Sequence, residues 1–174
     1  MSGIIREFNG VTPKIHETAF VAETAAIIGD VEIGPNSSIW YGVVIRGDMN
    51  RIRIGANTNI QDGSVIHVDS EGEHWHGLPT IVGDNVTVGH RVMLHACTLE
   101  DNSFVGMSAT VLDGAVVESG AMVAAGALVT PGKRVLKGQL WGGMPARYMR
   151  DVRPEELEYF DLVTEHYMDV SGKY

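Results

Sequence analysis

The sequence predicts an all-β fold, a parallel solenoid of short strands, followed by one C-terminal α-helix. Three observations predict it. Aliphatic residues recur every six positions, a small or β-branched residue follows four positions after each, and glycine often stands directly after the aliphatic. A helix has a period of 3.6 and a half-exposed strand a period of two. Six fits neither, and a fixed repeat sustained from Ile15 to Val135 is the signature of stacked coils.

The aliphatic series opens at Ile15, Val21, Ile27, Ile33, Ile39 and Ile45. After a three-residue slip it resumes at Ile54, Ile60 and Ile66, and after a longer interruption at Val82, Val88 and Leu94. One residue is then dropped, and Leu99, Val105, Val111, Val117, Val123, Val129 and Val135 follow. The small positions include Ser37, Thr58, Ser64, Thr98 and Ala109, expected where the chain turns. Gly29, Gly34, Gly55, Gly83, Gly89 and Gly106 are expected to relieve corner strain. The pattern resembles the hexapeptide-repeat family, which implies three hexads per coil, a left-handed β-helix and, here, about six coils.

Beyond the repeat, Gly142–Arg147 reads as an exit turn. Pro154 suits the first helical position, and Glu155 and Glu156 complement the positive end of the helix dipole. Leu157, Phe160, Val163, Tyr167 and Val170 keep helical spacing, predicting an amphipathic helix against the solenoid or a neighbouring subunit. The expected division is a β-helix over 1–150 and the helical segment over 151–174.

Composition bounds the function. At 174 residues and 44% hydrophobic the chain fits one folded domain, and a net charge of -9 argues against general nucleic-acid affinity. The single cysteine, Cys97, excludes an intrachain disulfide and a cysteine-only metal cluster. The N-terminus lacks an apolar signal core, no run approaches the length of a membrane span, and a reducing cytoplasmic location is the expectation.

Stacking the hexads aligns polar residues. If the stretch from Asp69 to Pro79 is a corner excursion, Ile66 and Leu94 lie three hexads apart, so His67 and His95 stack one coil apart. Coil spacing is about 4.8 Å. Arg46 falls one coil below His67, and His90 stacks over Asp62 on a different face, with Gln61 beside it. Two stacked imidazoles suit one cation, and His90 of a neighbouring chain would complete a three-histidine site across an interface.

Arg46-Gly47-Asp48, Asn59-Ile60-Gln61-Asp62-Gly63, Ile66-His67, Gly89-His90 and Leu94-His95 resemble the γ-class carbonic anhydrases and their relatives over essentially the whole chain. The resemblance implies a homotrimer with metal sites between subunits, His67 and His95 from one chain and His90 from the next. It implies Zn2+, with Fe2+ or Co2+ as alternatives, and hydration of carbon dioxide to bicarbonate by metal-bound hydroxide. It makes Gln61 the residue that orients the bound solvent, and it casts Arg46, Asp48 and Asp62 as braces of the interface and the ligands. Asn59 and Tyr167 match polar groups near the substrate.

The sequence departs from the active members at Met49, where they carry glutamate, and in a shorter loop after the first histidine. Glu71, Glu73, His74 and His76 of that loop are candidates for proton transfer. His16 and His166 read as structural or solvated, Trp40, Trp75 and Trp141 as edge covers, and Cys97 as a space-filler whose closeness to His95 raises oxidation sensitivity as a possibility. Two other functions compete. One is an acyl-CoA-dependent acyltransferase or thioesterase of the hexapeptide-repeat superfamily. The other is a catalytically weak metal-binding trimer.

Overall fold

The computed structural model describes residues 3–70, 72 and 77–174. It is a parallel β-solenoid of about 7 turns with one C-terminal helix. The turn beyond the six expected is gained at the ends. At the bottom, Ile4–Arg6 pairs beneath Ala26–Ile28, and Gln139–Gly142 continues the stack above Met122–Val123. The Phe8–Val11 turn interrupts the hexad register between Ile5 and Ile15, which hides the first coil from the repeat count.

The strands stack in three walls. The histidine wall contains Val65–His67, Met93–His95, Thr110–Val111 and Leu128–Val129, standing on the first halves of Ala26–Ile33 and Val44–Ile54. A second wall stands on the other halves of those two strands and rises through Thr80–Val82, Thr98–Leu99, Val116–Val117 and Arg134–Val135. The third is a separate 8-stranded sheet that includes Ser38–Ile39, Asn59–Ile60, Thr87–Val88 and Phe104–Val105.

Every hexad aliphatic from Val21 to Val135 is buried, and Ile15 packs partly buried on the same core. Full burial of one such side chain stabilises by roughly 1.5–3 kcal/mol, so the stack is held by many equal layers. The three-residue slip is a bulge. The register passes from Gly29↔Gly47 to Val31↔Ile52, so Asp48 to Arg51 stand opposite the single Asp30. The excursion also closes as expected, with Ile66 paired to Leu94 and Ile54 to Val82.

Three local readings change. Gly34, Gly55, Gly83, Gly89 and Gly106 are not strain-relieving corners, because only Gly29 of the expected set has positive φ, at 76°. Their role is close coil approach: a Cβ on Gly55 would stand 2.6 Å from the Gly83 carbonyl carbon. Many left-handed corner positions belong instead to asparagines such as Asn36, Asn57, Asn85 and Asn102, a residue that tolerates that conformation. Thr98 is only half-buried, and Cys97 fills the small inward position because the dropped residue shifts the register there.

The helix spans Pro154–Ser171 and lies on the third wall of its own chain. Phe160 is buried and stacks on Phe104 at 4.8 Å, while Tyr167 meets the buried Trp40 edge-on at 5.3 Å. Leu157 departs from the expected buried stripe and is 41% exposed, whereas Thr164 is buried. Before the helix, Arg147–Asp151 folds back antiparallel on Gln139–Gly142 as a hairpin that runs through residue 150. Arg150 grips Glu156 through two 2.7 Å hydrogen bonds and ties this hairpin to the first helical turn. That ion pair, with the Arg153 N–H, lowers the Glu156 pKa to about 2. Among the described residues no helix is long and apolar enough to cross a membrane.

Candidate metal centre

His67 and His95 end paired strands of the histidine wall, and their Cα atoms are direct ladder partners. The stacking inferred from hexad counting is therefore observed. Their rings approach with Nδ1 of His67 3.3 Å from Nε2 of His95. Each ring is held on its far side. Nε2 of His67 bonds Oδ1 of Asp48 at 3.0 Å, and Nδ1 of His95 bonds Oδ1 of Asp113 at 2.6 Å. Asp48 also pairs with Arg46. Burial works against the Asp48 charge, but hydrogen bonds from Arg46 and His67 prevail and lower its pKa.

His90 stands at the opposite edge of the same wall, at the corner where the chain arrives from the third wall. Its Nδ1 lies 2.9 Å from Oδ2 of Asp62, one coil below, as the hexad count implies. Ser64 fastens that corner between coils: its hydroxyl donates to the Gly89 carbonyl at 3.0 Å and accepts the Val92 N–H at 3.1 Å. Two residues next to the histidines hold left-handed backbone without being Gly or Asn: Arg91 at φ 59° and Ala96 at φ 47°. Such conformations carry a local cost and persist only where the surroundings enforce them.

The spacing and chemistry of the His67–His95 pair fit nitrogen ligands of one metal ion. Two nitrogens bound tetrahedrally at 2.0–2.1 Å stand roughly 3.3–3.4 Å apart, which matches the His67–His95 separation. All three histidines present the carboxylate-on-histidine arrangement that fixes ring orientation in metal sites. Among the described residues, no three ligand-type side chains of a single chain are placed so that they could hold a metal ion. His90 and the His67–His95 pair are kept apart by the width of one wall.

Gln61, Asn59 and Thr87 form a buried relay on the third wall. Gln61 Nε2 donates to Asn59 Oδ1 at 2.9 Å, and Asn59 Nδ2 donates to Thr87 Oγ1 at 2.9 Å. This fixes the Gln61 amide and leaves its carbonyl oxygen as an acceptor. Asn59 is 1% exposed, behind Gln61. Gln61 and His90 line a groove of ≈ 580 Å³ beneath the helix, with Tyr167 on its opposite side. Burial, reinforced by the Asp62 charge, raises the Tyr167 pKa and keeps the phenol protonated.

Similar proteins decide the family. A model described as "Bacterial transferase hexapeptide (six repeats)" matches residues 12–47, and "Hexapeptide repeat of succinyl-transferase" matches residues 97–131. The crystal structure of a hexapeptide transferase family protein from Anaplasma phagocytophilum superimposes with TM-score 0.92 and 46% identity, covering 100% of this chain and 99% of that one. A putative acetyltransferase from Bacillus cereus gives TM-score 0.94 and 36% identity, covering 100% and 98%. Gamma carbonic anhydrase 2, mitochondrial, of Arabidopsis thaliana is 50% identical over 160 residues, 92% of this chain and 58% of that protein. The chain belongs to the γ carbonic anhydrase-like hexapeptide-repeat family. It spans a little over half the length of that Arabidopsis relative.

Within this family member the structure gathers the sequence-predicted residues into two sets. Arg46, Asp48, His67 and His95 share one edge, while Asn59, Gln61, Asp62, His90 and Tyr167 share the other. Asp113 escaped the sequence reading. Its signal is weak, because it follows the hexad Val111 by two positions, where corner carboxylates are common surface residues. Glu71, Glu73, His74, Trp75 and His76 lie outside the described residues. Cys97 is fully buried, and burial pushes its thiol up to about 12, which leaves no thiolate for oxidation at neutral pH.

Proposed function

We propose that this protein is a metal-dependent carbonic anhydrase that works as a homotrimer and interconverts carbon dioxide and bicarbonate. The observation that carries the reading is the 3.3 Å pair of facing imidazole nitrogens, each ring braced by a carboxylate, with a third braced histidine on the opposite edge. His67 and His95 of one chain and His90 of the next would hold the ion. Zinc held by three neutral imidazoles supplies Lewis acidity that activates water near neutral pH; iron(II) or cobalt fits the same donors.

The chain's own residues then orient and exclude. Asp48, Asp113 and Asp62 fix the three rings so that each turns one nitrogen away from its carboxylate. Gln61, locked by Asn59, offers its carbonyl oxygen to a water or hydroxyl in the groove and so directs a lone pair towards carbon dioxide. Arg46 holds Asp48 in place. The mainly apolar groove wall gives carbon dioxide a place to partition without strong binding. A reducing compartment suits the single buried thiol; the cytoplasm is the expected one, and the Arabidopsis relative is named as mitochondrial.

Metal analysis and carbon dioxide hydration on one chelator-free sample test the proposal. The expected result is about one metal per chain and stopped-flow hydration above the uncatalysed rate. Protein that stays metal-free after incubation with zinc and with iron(II) sinks it. The likeness to a putative acetyltransferase supports a second reading, acyl transfer or thioester hydrolysis from acyl-CoA. A panel of acyl-CoA thioesters assayed on metal-free protein separates the two.

A further inference from the structure

Hydration releases a proton for every bicarbonate formed, and a site roofed by a helix needs a route for it. We propose that His166 is the proton-relay residue of this site, an inference that rests on the carbonic anhydrase reading. Sequence alone sets His166 aside as structural or solvated. The structure puts it on the wall of the groove that also holds Gln61, His90 and Tyr167.

Elimination makes the case. Most of the groove is apolar, with Met107, Met122 and Val163 among its lining. Of its polar groups, Gln61 carries an amide that does not ionise, with one of its N–H groups donating to Asn59. Tyr167 is held protonated by burial and by the Asp62 charge. Tyr159 contributes a second phenol. Nearby, Asp62 is engaged with His90, and His90 is taken by Asp62 and by its ligand role. Among the described residues lining the groove, His166 alone offers an imidazole, the side chain suited to proton relay, that is not already paired.

Its setting suits a relay. His166 is solvent-exposed, and among the described residues it makes no hydrogen bond or ion pair. Its ring meets Tyr167 edge-on at 5.8 Å and 79°. Tyr167 is itself held edge-on by Trp40, so the imidazole stands on a fixed aromatic platform while its nitrogens stay free. In the step, an O–H bond of site water breaks first, and its proton passes, directly or through groove water, to a free His166 ring nitrogen and then to a buffer base. The hydroxide left behind forms the C–O bond to carbon dioxide as a C=O electron pair moves to oxygen, giving bicarbonate.

The test compares zinc-loaded wild type with His166→Ala, using protein labelled with nitrogen-15 at histidine. In the wild type, the titration midpoint of the His166 ring resonances is expected to move when zinc is loaded, because the ring faces the site. His166→Ala should keep full zinc content and trimer mass, keep kcat/KM, and lose about 10²-fold in kcat at low buffer, the lower end for a positioned proton-transfer group. Added imidazole should restore it. A ring titration blind to zinc, an unchanged kcat, or lost zinc in the variant each overturns the relay. Hydration by the wild type with an unaffected variant removes the relay alone; wild type inactive with both zinc and iron(II) removes the carbonic anhydrase reading and the relay together.

Discussion

His67 and His95 occupy one edge of the histidine wall and His90 the other, and the two edges are built differently. The first is a finished half-site: adjacent ladder residues set the ring spacing, and carboxylates from neighbouring coils clamp both far nitrogens. The second is a single histidine on a single carboxylate, with both side chains more than 40% exposed. Coil stacking brings residues together along a wall without effort, because each step is one strand spacing. It has no means of bringing opposite edges of a wall together within one prism. That separation is what the proposed sharing of the ion between two chains would bridge.

The largest expected effect breaks that division directly. His90→Ala should take metal content from about one per chain to about none, as His95→Ala should, measured on purified protein. Retained stoichiometric binding in His90→Ala but not in His95→Ala would mean that the finished half-site works alone. Next come the carboxylates. Asp113→Asn and Asp62→Asn should each weaken metal affinity about 10–100-fold in competition with a chromophoric chelator, with the trimer intact. If only Asp113→Asn matters, His90 is not a ligand.

A smaller effect separates the corner that carries His90 from an ordinary corner higher in the stack. Ser64 bonds the next coil through both donor and acceptor, whereas the buried Ser103 hydroxyl has no partner among the described residues. Ser64→Ala should therefore cost about 1–3 kcal/mol in chemical denaturation, and Ser103→Ala should be neutral or slightly stabilising. The smallest effect concerns the helix that roofs the groove. The folded Glu156 pKa lies below its ordinary value of 4.5, so the stabilisation from its pair with Arg150 is complete above pH 4.5. It is lost as pH falls from there towards about 2. Helix fluorescence from Tyr167 and Trp40 should loosen in that window, and Glu156→Gln should remove the dependence.

Much of this was legible in the sequence because the solenoid is nearly one-dimensional. A period of six fixes which residues point inward, and the count of hexads fixes which residues lie one coil apart. Hence the His67–His95 pairing, the Asp62–His90 contact and the buried core follow from arithmetic. The bulge at Asp48 was visible as a slip in the count, but not its consequence, which is to bring a carboxylate back onto His67. Asp113 and the glycine contacts needed three dimensions, since side-chain reach across a corner and backbone clearance between coils leave no periodic mark.

The sequence by itself determined the coil, the layer each residue occupies and the stacking of His95 on His67 and of His90 on Asp62, because repeat and stacking are properties of spacing. Only the tertiary structure decided what spacing does not encode. It laid the helix on its own third wall, closed Gln61 and Asn59 into one locked relay, and turned His166 from a surface residue into a wall of the groove. The physical reason is that helix and solenoid meet through side-chain packing, led by Phe160 on Phe104 and Tyr167 on Trp40, and packing between unlike elements has no period to read.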